Sequence, residues 1–202
     1  MRRPAVVALL YAALAAVLTL LSGCGTSPPA RFYTLSATAA APTPSPTSTL
    51  LVAVGPVTVP SVVDRPEFVV NAGPNELKLD DFNRWAAPLQ DSLSRAIAEN
   101  LVVLLGTPRV IIFPQALASD PDYRVAVEVR TFDSLPGTAA VLDAVWTIRR
   151  AKDGKTQTGR TSAREAVDGA GYEALAGAHS RAVGRLSQDV AAAIRELQRG
   201  AP

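Results

Sequence analysis

Two groups of side chains in this sequence have residue types that catalysis uses, and the first is a histidine followed by a serine. His179 precedes Ser180, and a histidine can activate a hydroxyl nucleophile. Adjacent residues of a helix do not face each other, however, and His179 falls on the apolar face of a predicted helix. We therefore expect a packed structural histidine. It is the only histidine of the chain, so a histidine-based metal site is not expected either.

The second group is acidic. Glu76, Asp80 and Asp81 are close enough in sequence to supply the paired carboxylates that acid and base catalysis can use. An aspartate also caps the first turn of a helix, and a helical pattern of apolar residues follows. The capped helix start is the favoured interpretation. Because no Ser-His-Asp set or metal-binding set can be assembled, we expect no catalytic residue, no metal and no cofactor.

Residues 1–23 have the layout of a secretory signal. A short basic start is followed by an uncharged apolar run over residues 5–21 and then by the small residues Ser22 and Gly23. A membrane-spanning helix is the alternative, and the apolar run lies at the lower limit of the length that such a helix needs. The residue that follows decides between the two.

The only cysteine, Cys24, comes directly after this run. Leu-Ser-Gly-Cys resembles the lipobox of bacterial lipoproteins, in which the thiol receives a diacylglycerol and the chain is cut before it. A lone cysteine is otherwise a small buried residue or an inert thiol. We expect a lipoprotein signal peptide over residues 1–23, a lipidated Cys24 and a tether over residues 24–30. Gly25 follows, in place of the aspartate that retains lipoproteins of enteric bacteria in the inner membrane, so outer-membrane residence is expected.

Cleavage before Cys24 changes the charge balance. The full chain has 20 Lys and Arg against 18 Asp and Glu, and both arginines of the signal leave with it. The mature chain is then formally neutral and has no basic run, which argues against nucleic-acid binding. No cysteine remains for a disulfide, so the core alone has to stabilise the fold.

Two segments follow the anchor. Residues 36–49 lack charge and large apolar side chains, and their alternating prolines favour an extended, solvated segment. Residues 31–35 (RFYTL) are too apolar for a pure tether and are predicted to be a short strand or an anchoring patch. Whether residues 31–35 join the domain determines how far from the membrane the domain can lie. A tether from Cys24 to Arg31 spans at most ~25 Å, whereas one that continues to Leu50 spans ~90 Å.

The remaining residues alternate between strand and helix patterns. The first predicted helix begins near Asp80 or Asp81, has Pro88 in its first turns and ends at Gly106. Its apolar face consists of Leu89, Leu93, Ile97, Leu101 and Leu104. The second helix is predicted over residues 172–197. Its apolar face consists of Tyr172, Leu175, His179, Val183, Leu186, Val190, Ile194 and Leu197.

The strand patterns complete the predicted fold. Strands are expected at residues 50–59, 67–72, 75–79, 109–113, 123–132, 139–150 and 155–165. Asp153-Gly154 is a two-residue hairpin signal, and the polar strand after it is expected near a sheet edge. The predicted fold class is α+β, with a largely antiparallel sheet packed by two main helices. It forms a single domain over residues 31–200.

Several segments, in this order, resemble one protein family. They are FYTL, VGPVTVPSVVDRPEFVV, GPNELKLDDFNRWAAPL, RAIAENLVVLLG and YEALAGAHSRAVGRLSQDVAAAI. Together they are similar to the PqiC/YmbA-type auxiliary lipoproteins of ABC-type, MCE-linked transport systems. The resemblance spans nearly all of the mature chain. The proline- and threonine-rich linker and the loop at residues 115–122 depart from it.

This resemblance implies a role. Such lipoproteins sit in the outer membrane of diderm bacteria, facing the periplasm, and meet MCE proteins anchored in the inner membrane. The two together help to form a route for lipids across the periplasm. Ring-like self-association is compatible with such a docking element. The expected partners are therefore an MCE protein, the lipid bilayer and further copies of the chain.

A docking protein needs a contact surface, and one loop is the candidate. Asp64, Arg65 and Pro66 form either a tight turn held by a local ion pair or an exposed loop that contacts a partner. Trp85 is either a core anchor of the helix start or an interface residue, since tryptophan is enriched at binding hot spots. These four residues are the predicted partner-binding set.

Two other functions compete with lipid transport. A regulatory lipoprotein that activates a peptidoglycan synthase would use residues 36–49 as a long tether between anchor and domain. A lipoprotein hydrolase would need a catalytic constellation that the residues do not supply. The position of residues 31–35 in the fold therefore bears directly on the first alternative.

Overall fold

The computed structural model describes Tyr11 and residues 28–40, 48–114 and 120–200. The predicted signal peptide (apart from Tyr11), Cys24 and the middle of the predicted linker lie outside the described residues. From residue 28 onward, the elements in chain order are β1 (Arg31–Tyr33), β2 (Val52–Thr58), β3 (Glu67–Gly73), β4 (Glu76–Trp85), α1 (Leu89–Leu105), β5 (Val110–Ile112), β6 (Tyr123–Leu135), β7 (Ala139–Arg150), β8 (Thr156–Ala166) and α2 (Gly171–Arg199).

The strands form two mixed sheets. One has five strands in the order β5-β2-β6-β7-β8, and the other has three in the order β1-β4-β3. The pairs β3–β4, β6–β7 and β7–β8 are antiparallel hairpins. The pairs β1–β4, β2–β5 and β2–β6 are parallel, which requires long crossovers, and α1 lies in the crossover from β2 to β5. The predicted α+β class with two main helices is confirmed, and the sheets are mixed rather than purely antiparallel.

The strand expected at residues 31–35 is present as β1. It pairs in parallel with the end of β4, with Phe32 opposite Arg84 and Tyr33 opposite Trp85. Of the residues that follow, Leu35 is buried, whereas Thr38 is exposed and Ala39 half-buried, and α1 holds the last two. Asn100 of α1 is fully buried, and its Oδ1 accepts the backbone N–H groups of Thr38 at 2.9 Å and of Ala39 at 2.8 Å. The start of the predicted linker is therefore part of the fold.

The first helix begins later than the sequence pattern suggests. Asp80 and Asp81 lie in β4, and α1 begins at Leu89 with Pro88 as the residue before it. The prediction of a helix start at the aspartates is wrong, because a proline disfavours helical conformation in the residue that precedes it. The predicted end is confirmed at Gly106, whose φ of 62° lies in the left-handed region.

Asp80, which was predicted to cap a helix, caps a turn within β4 instead. Asp80 Oδ1 accepts the backbone N–H groups of Phe82 and Asn83, both at 3.0 Å. This is the hydrogen-bond pattern of a cap, formed here by a turn within a strand. It coincides with a break in the β3–β4 register, where Glu67 is opposite Arg84 but Phe68 is opposite Asp80.

The core lies between the sheets and the helices. α1 packs on β2 and β5, whereas α2 packs on β7 and β8, and the two helices contact each other. The predicted apolar face of α2 is confirmed, since its six residues from Leu175 to Ile194 are each at most 1% exposed. The three-stranded sheet contributes an aromatic cluster, in which Phe68 packs against Tyr33, Trp85 and Tyr172.

The predicted hairpin at Asp153-Gly154 joins β7 to β8, although the loop runs over residues 151–155 rather than two residues. Gly154 has a φ of +71°, which an L side chain rarely adopts. β8 is an edge strand, as its polar sequence predicts.

Candidate functional site

The loop at Asp64, Arg65 and Pro66 is a tight turn between β2 and β3. The carbonyl of Pro60 accepts the N–H groups of Val63 at 3.0 Å and of Asp64 at 3.2 Å. Asp64 Oδ2 accepts a hydrogen bond from the Gln90 side chain at 3.4 Å. In the described part of the chain, no salt bridge joins Asp64 to Arg65. Backbone hydrogen bonds therefore hold this turn, and the expected local ion pair is absent.

Trp85 joins this loop to the core. Its side chain is 5% exposed and stacks on Phe68 with ring centroids 4.3 Å apart. Phe132 meets the indole edge at a centroid distance of 6.1 Å. The backbone N–H of Trp85 donates to the carbonyl of Pro66 at 2.8 Å. The core-anchor interpretation of Trp85 is therefore correct, and its backbone fixes the position of the loop.

The structure brings all four predicted partner-binding residues to one depression, which we call the Arg65 cavity. Its volume is about 370 Å³. It is lined by Asp64, Arg65, Pro66, Trp85, Ala86, Ala87 and Pro88. Two prolines and the loop hydrogen bonds make its walls rigid before any ligand binds. Small apolar pockets of this kind commonly receive an anchor side chain from a partner.

One polar group in the Arg65 cavity has no partner. Arg65 Nε is buried and makes no hydrogen bond among the described residues. Within the same residues, no carboxylate lies within salt-bridge distance of the Arg65 guanidinium. A buried donor without an acceptor is unfavourable. Because Nε is itself buried, an incoming carbonyl or carboxylate oxygen could accept from it only after the side chain moves.

His179 forms a buried hydrogen bond with Ser134 and not with Ser180, the serine next to it in sequence. Its Nε2 lies 2.8 Å from Ser134 Oγ, and its ring stacks on Phe132 at a centroid distance of 3.9 Å. Ser180 instead donates to the carbonyl of Ala176 at 2.9 Å. Complete burial lowers the pKa of His179 to about 3, so the ring is neutral at physiological pH. The packed structural histidine is confirmed.

The Ser134–His179 pair is not built for catalysis. Ser134 is 2% exposed and His179 is 0% exposed, so a substrate cannot reach either side chain in this conformation. His179 Nδ1 has no hydrogen-bond partner among the described residues, whereas a catalytic histidine needs a group that orients it. Sequence reasoning missed Ser134 because it lies 45 positions before His179. The alternation of Val125, Val127 and Val129 would place Ser134 on the outer side of β6, and it faces the core because a bulge between Val129 and Thr131 reverses the alternation.

Glu76, Asp80 and Asp81, the acidic residues that the sequence places close together, have different surroundings in the structure. Glu76 and Asp81 are exposed, whereas Asp80 Oδ2 accepts a hydrogen bond from the Tyr172 hydroxyl at 2.7 Å. Partial burial tends to raise the pKa of Asp80, but hydrogen bonds from Tyr172, Asn83 and backbone N–H groups lower it below its usual value. A carboxylate with a lowered pKa is a poor proton carrier near neutral pH. Neither the capped helix start nor a carboxylate pair is present here.

A wider groove, which sequence analysis did not indicate, runs along α2 beside β1. Its volume is about 1130 Å³. Two of its basic side chains have partners, since Arg181 lies 3.6 Å and Arg185 lies 3.4 Å from Glu165. At Gly184 a Cβ atom would stand 2.3 Å from Thr38 Oγ1, so this glycine permits the chain after β1 to lie close against the helix.

The described residues contain no cluster of three or more histidine, cysteine, aspartate or glutamate side chains that could hold a metal ion. Among the same residues, we find no helix with the length and apolar character needed to cross a bilayer. The features that remain are surface features: the Arg65 cavity, the groove along α2 and the exposed side of the three-stranded sheet.

Comparison with known proteins places the fold. A crystal structure of an uncharacterized protein superposes with a TM-score of 0.67 at 21% identity, covering 83% of this chain and 99% of the other. A Xanthomonas campestris protein assigned to the DUF330 family model superposes with a TM-score of 0.59 at 19% identity, covering 79% and 92%. At these identities the likeness shows the fold alone.

The sequence itself identifies the family. No curated protein matches the chain. The family model described as "ABC-type transport auxiliary lipoprotein component" matches residues 33–191, which extend from the end of β1 into α2. This match covers most of the chain and agrees with the segments on which the resemblance rests. The chain therefore belongs to the ABC-type transport auxiliary lipoprotein family.

Proposed function

We propose that this protein is an outer-membrane lipoprotein that docks an MCE protein of the inner membrane and thereby assists an ABC-type lipid transport system. Acylated Cys24 holds it in the membrane on the periplasmic side. It performs no chemistry itself. The observation that carries the proposal is the family match over residues 33–191, because that family is described by its role in ABC-type transport.

The Arg65 cavity supports a docking role. It has one buried donor without an acceptor, Arg65 Nε, and exposed residues on its rim, among them Asp64 and Pro66. A segment of the MCE protein that presents an apolar side chain would fit it. A charge on the rim mainly changes the association rate, whereas a buried anchor mainly changes the residence time.

The position of β1 favours transport over activation of a peptidoglycan synthase. β1 begins seven residues after Cys24 and pairs with β4, so the proline-rich segment lies within the domain and not between anchor and domain. The tether then spans at most ~25 Å. A regulator that reaches through the cell wall needs a longer tether than this.

The anchor has a direct test. Mass spectrometry of the mature N-terminal peptide is expected to show acyl chains on Cys24, and membrane fractionation is expected to place the protein in the outer membrane. The Cys24→Ser variant should remain unprocessed or leave the membrane. A Cys24→Ser protein that is processed and membrane-bound like the unsubstituted protein would contradict the anchor.

The partner has a separate test in intact cells. A photo-crosslinking amino acid at Pro66, on the rim of the Arg65 cavity, is expected to capture the MCE protein. The matched control carries the same amino acid at Lys152, an exposed residue of the β7–β8 loop. Equal capture from both positions would reject the cavity as the docking site. Recovery of a peptidoglycan synthase without any MCE protein would reject the transport assignment.

A further inference from the structure

One side of the three-stranded sheet exposes large apolar residues. Phe32 is 64% exposed, Leu77 45%, Leu79 43% and Phe82 41%. All four belong to β1 or β4, although β4 is the central strand of its sheet. Singly exposed apolar residues are common on protein surfaces, but a group on one element often marks an interaction site.

The strand register places three of these residues on the same face. Tyr33 and Phe68 point into the core, because they pack against each other there. Their neighbours along each strand point the opposite way. Phe32 therefore lies on the outer face, and so does Leu79, which is opposite Val69. Leu77 lies two residues further along the same face. We call this surface the outer face of the sheet.

Phe82 lies beside the start of the described chain, at a depression that Tyr33 and Tyr172 also line. It lies in the bulge of β4 and lines this shallow depression of about 360 Å³ together with Pro28 and Pro29. Pro28 follows Cys24 by four residues, which span at most ~14 Å. If Cys24 is acylated, as proposed above, the bilayer surface lies within about this distance of Pro28.

The charges around the outer face permit contact with lipid. By the same alternation, Arg31 and Lys78 point away from the outer face. The charged side chains on this face are Arg84, opposite Phe32, and Glu67, and they form a salt bridge at 3.7 Å. This pair is neutral as a whole and offers lipid phosphates little attraction. Apolar contact, rather than net charge, must then supply most of the binding.

We propose that the outer face of the sheet lies on the lipid bilayer that holds the anchor, with Phe32, Leu77 and Leu79 in its interfacial region. The short tether holds this face at the bilayer at a high effective concentration, so the contact needs little intrinsic affinity. Contact at this face fixes the orientation of the domain as well as its distance from the membrane. The inference rests on the proposed anchor at Cys24.

The single cysteine permits a test that does not require acylation by the cell. Every residue of the hydrophobic core lies after residue 28, so the mature chain keeps the whole core. Its Cys24 thiol is coupled to a maleimide headgroup in vesicles of phosphatidylethanolamine and phosphatidylglycerol. The vesicles also contain a lipid with a photoactivatable group in its acyl chain. Peptide mass spectrometry then locates the crosslinks.

We expect crosslinks in the peptides that contain β1 and β4, and none above background in the peptide that contains Phe113. Phe113 is the matched control because it is 44% exposed and follows β5, the edge strand of the other sheet. Leu79→Asp should reduce crosslinking of β4 by about tenfold, because it removes apolar area and adds a charge. Phe113→Asp should leave it unchanged, and Phe32→Ser tests the same face with a neutral substitution.

Crosslinking of the Phe113 peptide equal to that of β4 would overturn the proposal, and so would an absence of crosslinks in both. If light scattering shows that Leu79→Asp dissociates an oligomer while lipid crosslinks are absent, the face joins copies of the chain and the membrane assignment is wrong. Mass spectrometry of Cys24 from cells decides the anchor separately. An unacylated Cys24 and an outer face that does not contact lipid therefore give different results.

Discussion

At the scale of single residues, the Arg65 cavity contains a residue that we propose for binding, Arg65, and a residue that the fold requires, Trp85. Arg65 is half-buried and lines the cavity, whereas Trp85 is 5% exposed and stacked on Phe68. Substitution of each residue should therefore affect a different measurement. This difference makes the docking proposal testable with purified protein.

Arg65→Glu is expected to weaken capture of the MCE partner by about tenfold, which corresponds to about 1.4 kcal/mol, without a change in the melting temperature. Trp85→Ala is expected to lower the free energy of unfolding by about 3 to 5 kcal/mol. Arg149→Glu, which makes the same change at an exposed position of β7, is the control. Binding assays and thermal melting of all three variants separate a loss of partner binding from a loss of stability. Equal loss of capture in Arg65→Glu and Arg149→Glu would mean that only net charge is involved.

His179 carries a prediction about pH. Burial lowers its pKa to about 3 in the folded state, against 6.5 as the ordinary value. Below about pH 6.5 the unfolded chain binds a proton that the folded chain does not bind, so the free energy of unfolding falls as the pH falls. At pH 5 this loss should amount to about 2 kcal/mol relative to pH 7.5.

Urea unfolding at pH 7.5 and pH 5 measures this loss. The control is His179→Gln, which cannot titrate but can still form a hydrogen bond with Ser134. The pH-dependent loss should be about 2 kcal/mol smaller in this variant than in the unsubstituted protein. The same loss in both proteins would show that other groups cause the acid sensitivity.

At the scale of elements, the β7–β8 hairpin depends on a glycine beneath an indole. Trp146 is opposite Gly159, and a Cβ atom at Gly159 would lie 2.2 Å from the indole ring. The ring has little freedom to move, because its Nε1 donates to Thr161 Oγ1 at 3.1 Å. The glycine is therefore required by close approach and not by its backbone conformation.

Gly159→Ala is expected to lower the free energy of unfolding by about 1 to 3 kcal/mol, as overpacking does in a filled core. The double variant Gly159→Ala with Trp146→Leu should lose less than the sum of the two single variants, because the leucine leaves room for the added methyl group. Urea unfolding of the four proteins gives the coupling energy. Strict additivity would contradict the close packing.

At the scale of the whole molecule, the chain before β2 belongs to the folded domain. Tyr33 packs on Phe68, Leu35 is 8% exposed, and the Ser36 N–H donates to Ser180 Oγ at 3.1 Å. The far end of the proline-rich segment is held too, since the Ser48 N–H donates to the Gly106 carbonyl at 2.8 Å. The described residues on either side of residues 41–47 are thus held by the fold.

A chain that begins at residue 48 should therefore be less stable than one that begins at residue 28, by about 3 to 6 kcal/mol, since it loses the burial of Tyr33 and Leu35. The control keeps residues 28–40 and replaces residues 41–47 with a Gly/Ser sequence of equal length, which should change stability by less than about 1 kcal/mol. Urea unfolding compares the three chains. Equal stability of the first two would show that residues 28–40 only tether the domain.

The sequence by itself determined the elements that have a clear period. The helical repeat of α2, the alternation in β6 and the glycine at the end of α1 all reflect burial or backbone geometry within a few consecutive residues. The family resemblance also rests on such ordered local segments. Where a local signal had two possible causes, as at Asp80, the pattern predicted the wrong element.

Only the tertiary structure decided which distant residues meet. The parallel pairing of β1 with β4, the Ser134–His179 hydrogen bond and the cavity that joins Arg65 to Trp85 all connect positions far apart in the chain. Such contacts depend on how whole faces of strands and helices fit together after loops have closed. Local composition carries no record of that fit, because each strand can satisfy its own pattern against several different neighbours.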